Sequence, residues 1–127
     1  MNELQRVMYV EDEDDIRAIA EIALMDVGGF ELLACGSGAM ALQAIAGFRP
    51  QLVVLDVMMP GMDGPALLAR LRERPDTAHL PIVFMTAKVQ PTEVARLKAL
   101  GAAEVVAKPF DPMTLADRLR AIWTKLG

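Results

Sequence analysis

Short apolar runs recur at Val7–Val10, Leu32–Cys35, Leu52–Leu55, Ile82–Met85 and Val105–Ala107, each followed by a longer stretch of helical periodicity. Three of the runs show little polar alternation, as expected of strands covered on both faces. Strand then helix, five times over, predicts an α/β fold: a parallel sheet with helices on both faces, in a single domain spanning 1–127.

The intervening segments carry helix boundaries. Asp14 and Asp15 are expected to cap a helix with the stripe Ile16, Ile19, Ala20, Ala23 and Val27, stopped by Gly28 and Gly29. Ser37 is expected to cap a second, with Met40, Ala41, Ala44 and Ile45 inward and Gly47 beyond. Pro65 and Pro91 suit the first positions of the third and fourth, where a missing N–H costs nothing. The third buries Leu67, Leu68 and Leu71; the fourth buries Val94, Leu97 and Leu100 and stops at Gly101. Asp111 and Pro112 open the fifth, which carries Leu115, Leu119, Ile122 and Leu126.

Charge and composition narrow the function. A formal net charge of −4 argues against a general nucleic-acid binder, and Arg70, Arg72 and Arg74 alternate with Glu73 and Asp76 as on a solvated helix. The single cysteine, Cys35, excludes an internal disulfide or cysteine–zinc cluster and reads as a small core residue. With no leader pattern and no apolar stretch near 20 residues, a cytoplasmic protein without membrane insertion is expected.

In an open parallel sheet, ligands bind outside the carboxyl ends of the strands, where strand order reverses. Glu11 and Asp12 follow the first strand, Asp56 ends the third, Thr86 follows the fourth and Lys108 the fifth, so all belong to one rim. Clustered carboxylates repel, and a divalent cation removes that penalty. Oxygen-only ligation suits Mg²⁺, with Mn²⁺ as the alternative. A carboxylate beside a cation and a lysine can attack phosphorus; Asp56, ending the central strand, is the candidate nucleophile. Thr86 and Lys108 would then meet charge developing on the phosphoryl oxygens. The blander readings are that the acids cap a helix, Thr86 closes a turn and Lys108 is solvated. Pro109 leaves Lys108 extended or preceding a cis bond. His79 reads as an ordinary polar residue, Tyr9 and Trp123 as packing.

The segments VEDED (Val10–Asp14), LDVMMPGMDG (Leu55–Gly64), MTAK (Met85–Lys88) and KPF (Lys108–Phe110) together resemble the receiver domain of two-component response regulators, from Arg6 to Ile122. The resemblance implies a doubly wound sheet of order 2-1-3-4-5 with five helices, the flavodoxin-like order. It implies that Asp56 takes a phosphoryl group from a phosphohistidine on a histidine kinase or phosphotransfer protein, thereby controlling a downstream protein target. Asp12 would ligate Mg²⁺ directly, Glu11 through water, Asp56 by a carboxylate oxygen and Met58 by its backbone carbonyl. Thr86, Lys108 and the N–H groups of Met58 and Ala87 would hold the phosphoryl oxygens, and Lys88 would lie at the partner face.

Two positions depart from the family pattern. Glu11 stands where Asp is more usual, its longer arm expected to carry the carboxylate outward. Val105 stands three before the lysine, where an aromatic switch residue is often found. Two other classes of function use the same residues. A small Mg²⁺-dependent phosphatase or phosphotransferase could run on these acids, and a phosphorylation-independent adaptor could use the exposed fourth and fifth helices. A flavin site is disfavoured by the acidic first loop.

Overall fold

A computed structural model describes residues 2–127. The strands are β1 (Arg6–Val10), β2 (Glu31–Cys35), β3 (Leu52–Asp56), β4 (Ile82–Thr86) and β5 (Glu104–Ala107). They pair in parallel in the order β2-β1-β3-β4-β5, the topology expected from the resemblance. Between and after them run α1 (Asp14–Glu21), α2 (Gly38–Phe48), α3 (Gly64–Glu73), α4 (Pro91–Ala99) and α5 (Leu115–Leu126).

Strand alternation sorts the core into two layers. Met8, Val10, Val53, Leu55, Ile82, Phe84 and Val105 pack beneath α2, α3 and α4. Val7, Tyr9, Val54, Val83, Met85 and Val106 pack beneath α1 and α5. Because β1, β3 and β4 are covered on both sides, they read as unbroken apolar runs.

Several helix ends differ from expectation. Glu13, not Asp14 or Asp15, precedes α1 and makes no side-chain cap; the two aspartates lie in the first turn, favoured there by the helix dipole. After Glu21 the helix continues as a π-helical segment, Ile22–Val27. Its i→i+5 bonding widens the turn and breaks the 3.6-residue phase. Within it Ala23 and Leu24 are buried and Val27 faces solvent; ahead of it, in the regular helix, Ala20 is buried and Ile19 faces solvent. Ser37 caps α2 as expected, its Oγ accepting from the Met40 N–H at 3.1 Å. α2 passes through Gly47 and ends at Arg49, which takes the left-handed conformation (φ 56°), and Met40 is exposed. Asp63 caps α3, with Pro65 in the first turn. Gly101, at φ 118°, terminates the α4 turn, but Leu100 is exposed. Asp111–Thr114 form a turn before α5, closed by Asp111 Oδ1 accepting from Met113 N–H at 2.9 Å, and Leu126 is exposed. The Lys108–Pro109 bond is cis.

One glycine bears directly on the rim. A Cβ on Gly64 would lie 2.5 Å from the Asp56 carbonyl oxygen and 3.0 Å from Val57 Cα, both backbone. Gly64→Ala is expected to destabilise the fold by about 1–3 kcal/mol through overpacking, measured by urea unfolding. It should also displace the end of β3.

Candidate functional site

Strand register brings the polar residues together. Val10 pairs with Leu55, so Glu11 and Asp56, the next residue of each strand, emerge side by side at the sheet's switch point. Thr86 pairs with Ala107, and Lys108 N–H donates to the Thr86 carbonyl at 2.9 Å. Alternation then decides the faces: Glu11 follows Tyr9, Asp56 follows Val54 and Lys108 follows Val106, all on the α1/α5 side. Thr86 follows Phe84 on the other side, with Val105.

The resulting cluster is tight. Lys108 Nζ lies 3.0 Å from Glu11 Oε1 and 3.0 Å from Asp56 Oδ1. Glu11, Asp12 and Asp56 each offer an oxygen within 4.8 Å of the others. Glu11 is wholly buried, 0% exposed, and Asp56 nearly so. The longer arm of Glu11 thus turns inward to the lysine, not outward, because only there does a buried carboxylate find a charged partner.

Burial pushes the Glu11 carboxyl up to about 7; the neighbouring Asp56 adds to this, and Lys108 only partly offsets it. Burial also works against the Lys108 ammonium, but its hydrogen bonds to Glu11 and Asp56 prevail and hold its pKa above the usual lysine range. One cation is shared by two buried acids. Since folding favours protonated Glu11, its contribution to stability falls as pH rises from 4.5 through about 7. Metal-free protein should accordingly melt higher at about pH 5.5 than at about pH 8, and saturating Mg²⁺ should shrink that difference, as read by calorimetry.

Thr86 Oγ1 accepts from Lys88 N–H at 3.0 Å. Among the described residues it makes no hydrogen bond to the acids. The Met58 side chain is 73% exposed beside Asp56, and Lys88 is exposed on the loop after β4. His79 is exposed in the connection before β4, at the opposite end of that strand from Thr86, and Cys35 is buried in the core. Tyr9 is core, as expected. Its hydroxyl is the one buried side-chain polar atom without a partner among the described residues. Burial, then Glu11 and Asp56, push its pKa well up.

Residues 7–120 match the response regulator receiver domain family. The chain belongs to that family. This receiver is 36% identical over 127 residues to the transcriptional regulatory protein CseB of Streptomyces avermitilis, covering 100% of this chain and 52% of that protein. It is 38% identical over 117 residues to the DNA-binding response regulator MtrA of Mycolicibacterium smegmatis, covering 92% and 50% respectively. The receiver therefore spans about half the length of these curated relatives. Its fold matches the Vibrio cholerae chemotaxis protein CheY4 with a TM-score of 0.85 at 29% identity, over 94% of this chain and 98% of that one. The acidic cluster is consistent with a receiver phosphoacceptor site able to hold a metal ion. Among the described residues no helix is long and apolar enough to cross a membrane.

Proposed function

We propose that this receiver is a phosphoacceptor switch in which Asp56 takes a phosphoryl group from a partner's phosphohistidine. The observation that carries this is the Lys108 ammonium 3.0 Å from both Glu11 and Asp56, beside the Asp12 carboxylate. Three carboxylates against one ammonium leave a formal charge of −2, and every donor is oxygen; both features fit a hard divalent cation. Glu11, Asp12, Asp56 and the Met58 carbonyl would hold Mg²⁺ or Mn²⁺. Bound there, the ion supplies positive charge for the transferring phosphoryl oxygens.

The chain's own residues do the rest. An Asp56 carboxylate oxygen attacks phosphorus in line; the P–O bond forms as the P–N bond to the donor imidazole breaks, its electron pair returning to nitrogen. Lys108, already bound to Asp56, pairs with the phosphoryl oxygens, assisted by the N–H groups of Met58 and Ala87. The Thr86 hydroxyl, which accepts from Lys88 N–H, keeps its own proton to donate to the phosphoryl group. Its rotation toward the rim would loosen the Lys88 loop, which presents exposed residues to a partner. With buried Val105 in place of a ring, the response passes through that loop and α4 as a population shift. No substrate other than the phosphodonor and water is turned over.

The partners are a histidine kinase or phosphotransfer protein and a downstream protein; DNA binding, in the name of MtrA, belongs to a protein twice as long. Beryllofluoride, a stable phosphoryl mimic, tests the reading. With Mg²⁺ it should shift the amide resonances of Asp56, Thr86 and the 87–90 loop, and chelation should reverse the shifts. Unchanged spectra at saturating Mg²⁺ and beryllofluoride would refute it.

A further inference from the structure

The Glu11–Asp12 peptide carries two of the three clustered acids, and it is held from outside the cluster. On one side the Glu11 N–H donates to the Cys35 carbonyl at 3.0 Å. On the other, Arg17 of α1 reaches back six residues, its Nη1 donating to the Glu11 carbonyl at 2.9 Å. Nη2 is anchored 2.6 Å from Asp14 Oδ1, and the side chain is 23% exposed. The guanidinium also lies against the bare backbone after β2: a Cβ on Gly36 would come within 3.2 Å of Nη1. One planar fork thus ties the β1–α1 loop, the first turn of α1 and the turn after β2.

The Glu11 carbonyl and the Asp12 N–H share one rigid plane. Fixing the carbonyl fixes the place of the Asp12 Cα, the point from which its side chain departs, and so narrows the positions its carboxylate can take beside that of Glu11. We infer that Arg17 is a positioning residue for the divalent cation held by Glu11, Asp12 and Asp56, acting through the Glu11–Asp12 peptide without touching the ion. The inference rests on the cation site proposed above.

Charge and position make opposite predictions. A guanidinium this near the acids repels a divalent cation, so if charge were its only influence, removing it would tighten binding. If it positions the peptide, removing it loosens binding despite the lost repulsion. Lysine keeps the charge and one donor but loses the fork.

The test is the Mg²⁺ dissociation constant of the intact chain by titration calorimetry, checked with Mn²⁺ by electron paramagnetic resonance, alongside metal-free melting curves. Arg17→Met should weaken Mg²⁺ binding about tenfold, in the range of outer-shell substitutions at metal sites. Arg17→Lys should recover part of that loss. Binding by the methionine variant as tight as wild type, or tighter, overturns the inference while leaving the cation site standing. Wild-type protein that binds neither ion refutes the cation site itself. Should the methionine variant not fold, the lysine variant decides: a wild-type constant overturns the positioning role, and a severalfold weaker one with a native melting curve supports it.

Discussion

Asp56→Asn should lower labelling by a small phosphodonor and Mg²⁺ by roughly a hundredfold or more, because an amide is not a nucleophile toward phosphorus under these conditions. The same change should stabilise the metal-free protein. Asp56 is one of the groups holding the Glu11 pKa up, and asparagine keeps the shape while removing the charge. Relieving Glu11 by one pKa unit is worth about 1.4 kcal/mol at a pH where it must ionise. Loss of labelling with a gain in melting temperature at about pH 8 separates removal of the acceptor from general damage to the fold. A variant that labels like wild type would mean that another residue is the nucleophile.

Lys108→Met should produce the second large effect, again with two signs. The ammonium is the only recorded ion-pair partner of Glu11 and Asp56 among the described residues. Without it Glu11 stays wholly buried and unpaired, a loss put at about 3–5 kcal/mol when the survivor remains charged. Glu11 escapes part of this by holding its proton. Its pKa should climb beyond about 7, so the destabilisation is small near pH 5 and grows as pH rises through the neutral range. Mg²⁺ should bind several times more tightly, since the ammonium competes for the same two carboxylates. Phosphoryl transfer should nevertheless fall about ten- to a hundredfold, because a preorganised cation facing the phosphoryl oxygens is gone. Calorimetry at two pH values, Mg²⁺ titration and labelling measure the three effects; weaker Mg²⁺ binding would show that Lys108 assists the ion and does not compete with it.

The fold was legible because β1, β3 and β4 are covered on both faces and announce themselves as apolar runs. The acids were legible because each stands at a strand end, where period-two alternation and parallel register leave little freedom. The order of strands was not, since nothing in the spacing distinguishes which strands are neighbours; it came through the resemblance. Two features lay beyond pattern reading. The π-helical Ile22–Val27 obeys no 3.6-residue period, so Val27 was expected inside and lies outside, while Ile19, in the regular helix before it, lies outside because that helix turns Ala20 to the core. Glu11 was expected to point outward because a longer arm reaches farther, whereas its direction is set by Lys108, 97 residues away. Arg17 carried no sequence signal at all: it acts by a contact from side chain to backbone, which no spacing of residue types marks.

Everything proposed for this receiver turns on the phosphoryl group resting on the carboxylate that ends β3. Borohydride reduction of the freshly phosphorylated chain, followed by peptide mapping, locates an acyl phosphate directly. Homoserine should replace Asp56, in a quantity matching the label, and be lost when Mg²⁺ is chelated before the donor is added. Homoserine at another aspartate, or label that survives reduction unchanged, would contradict it.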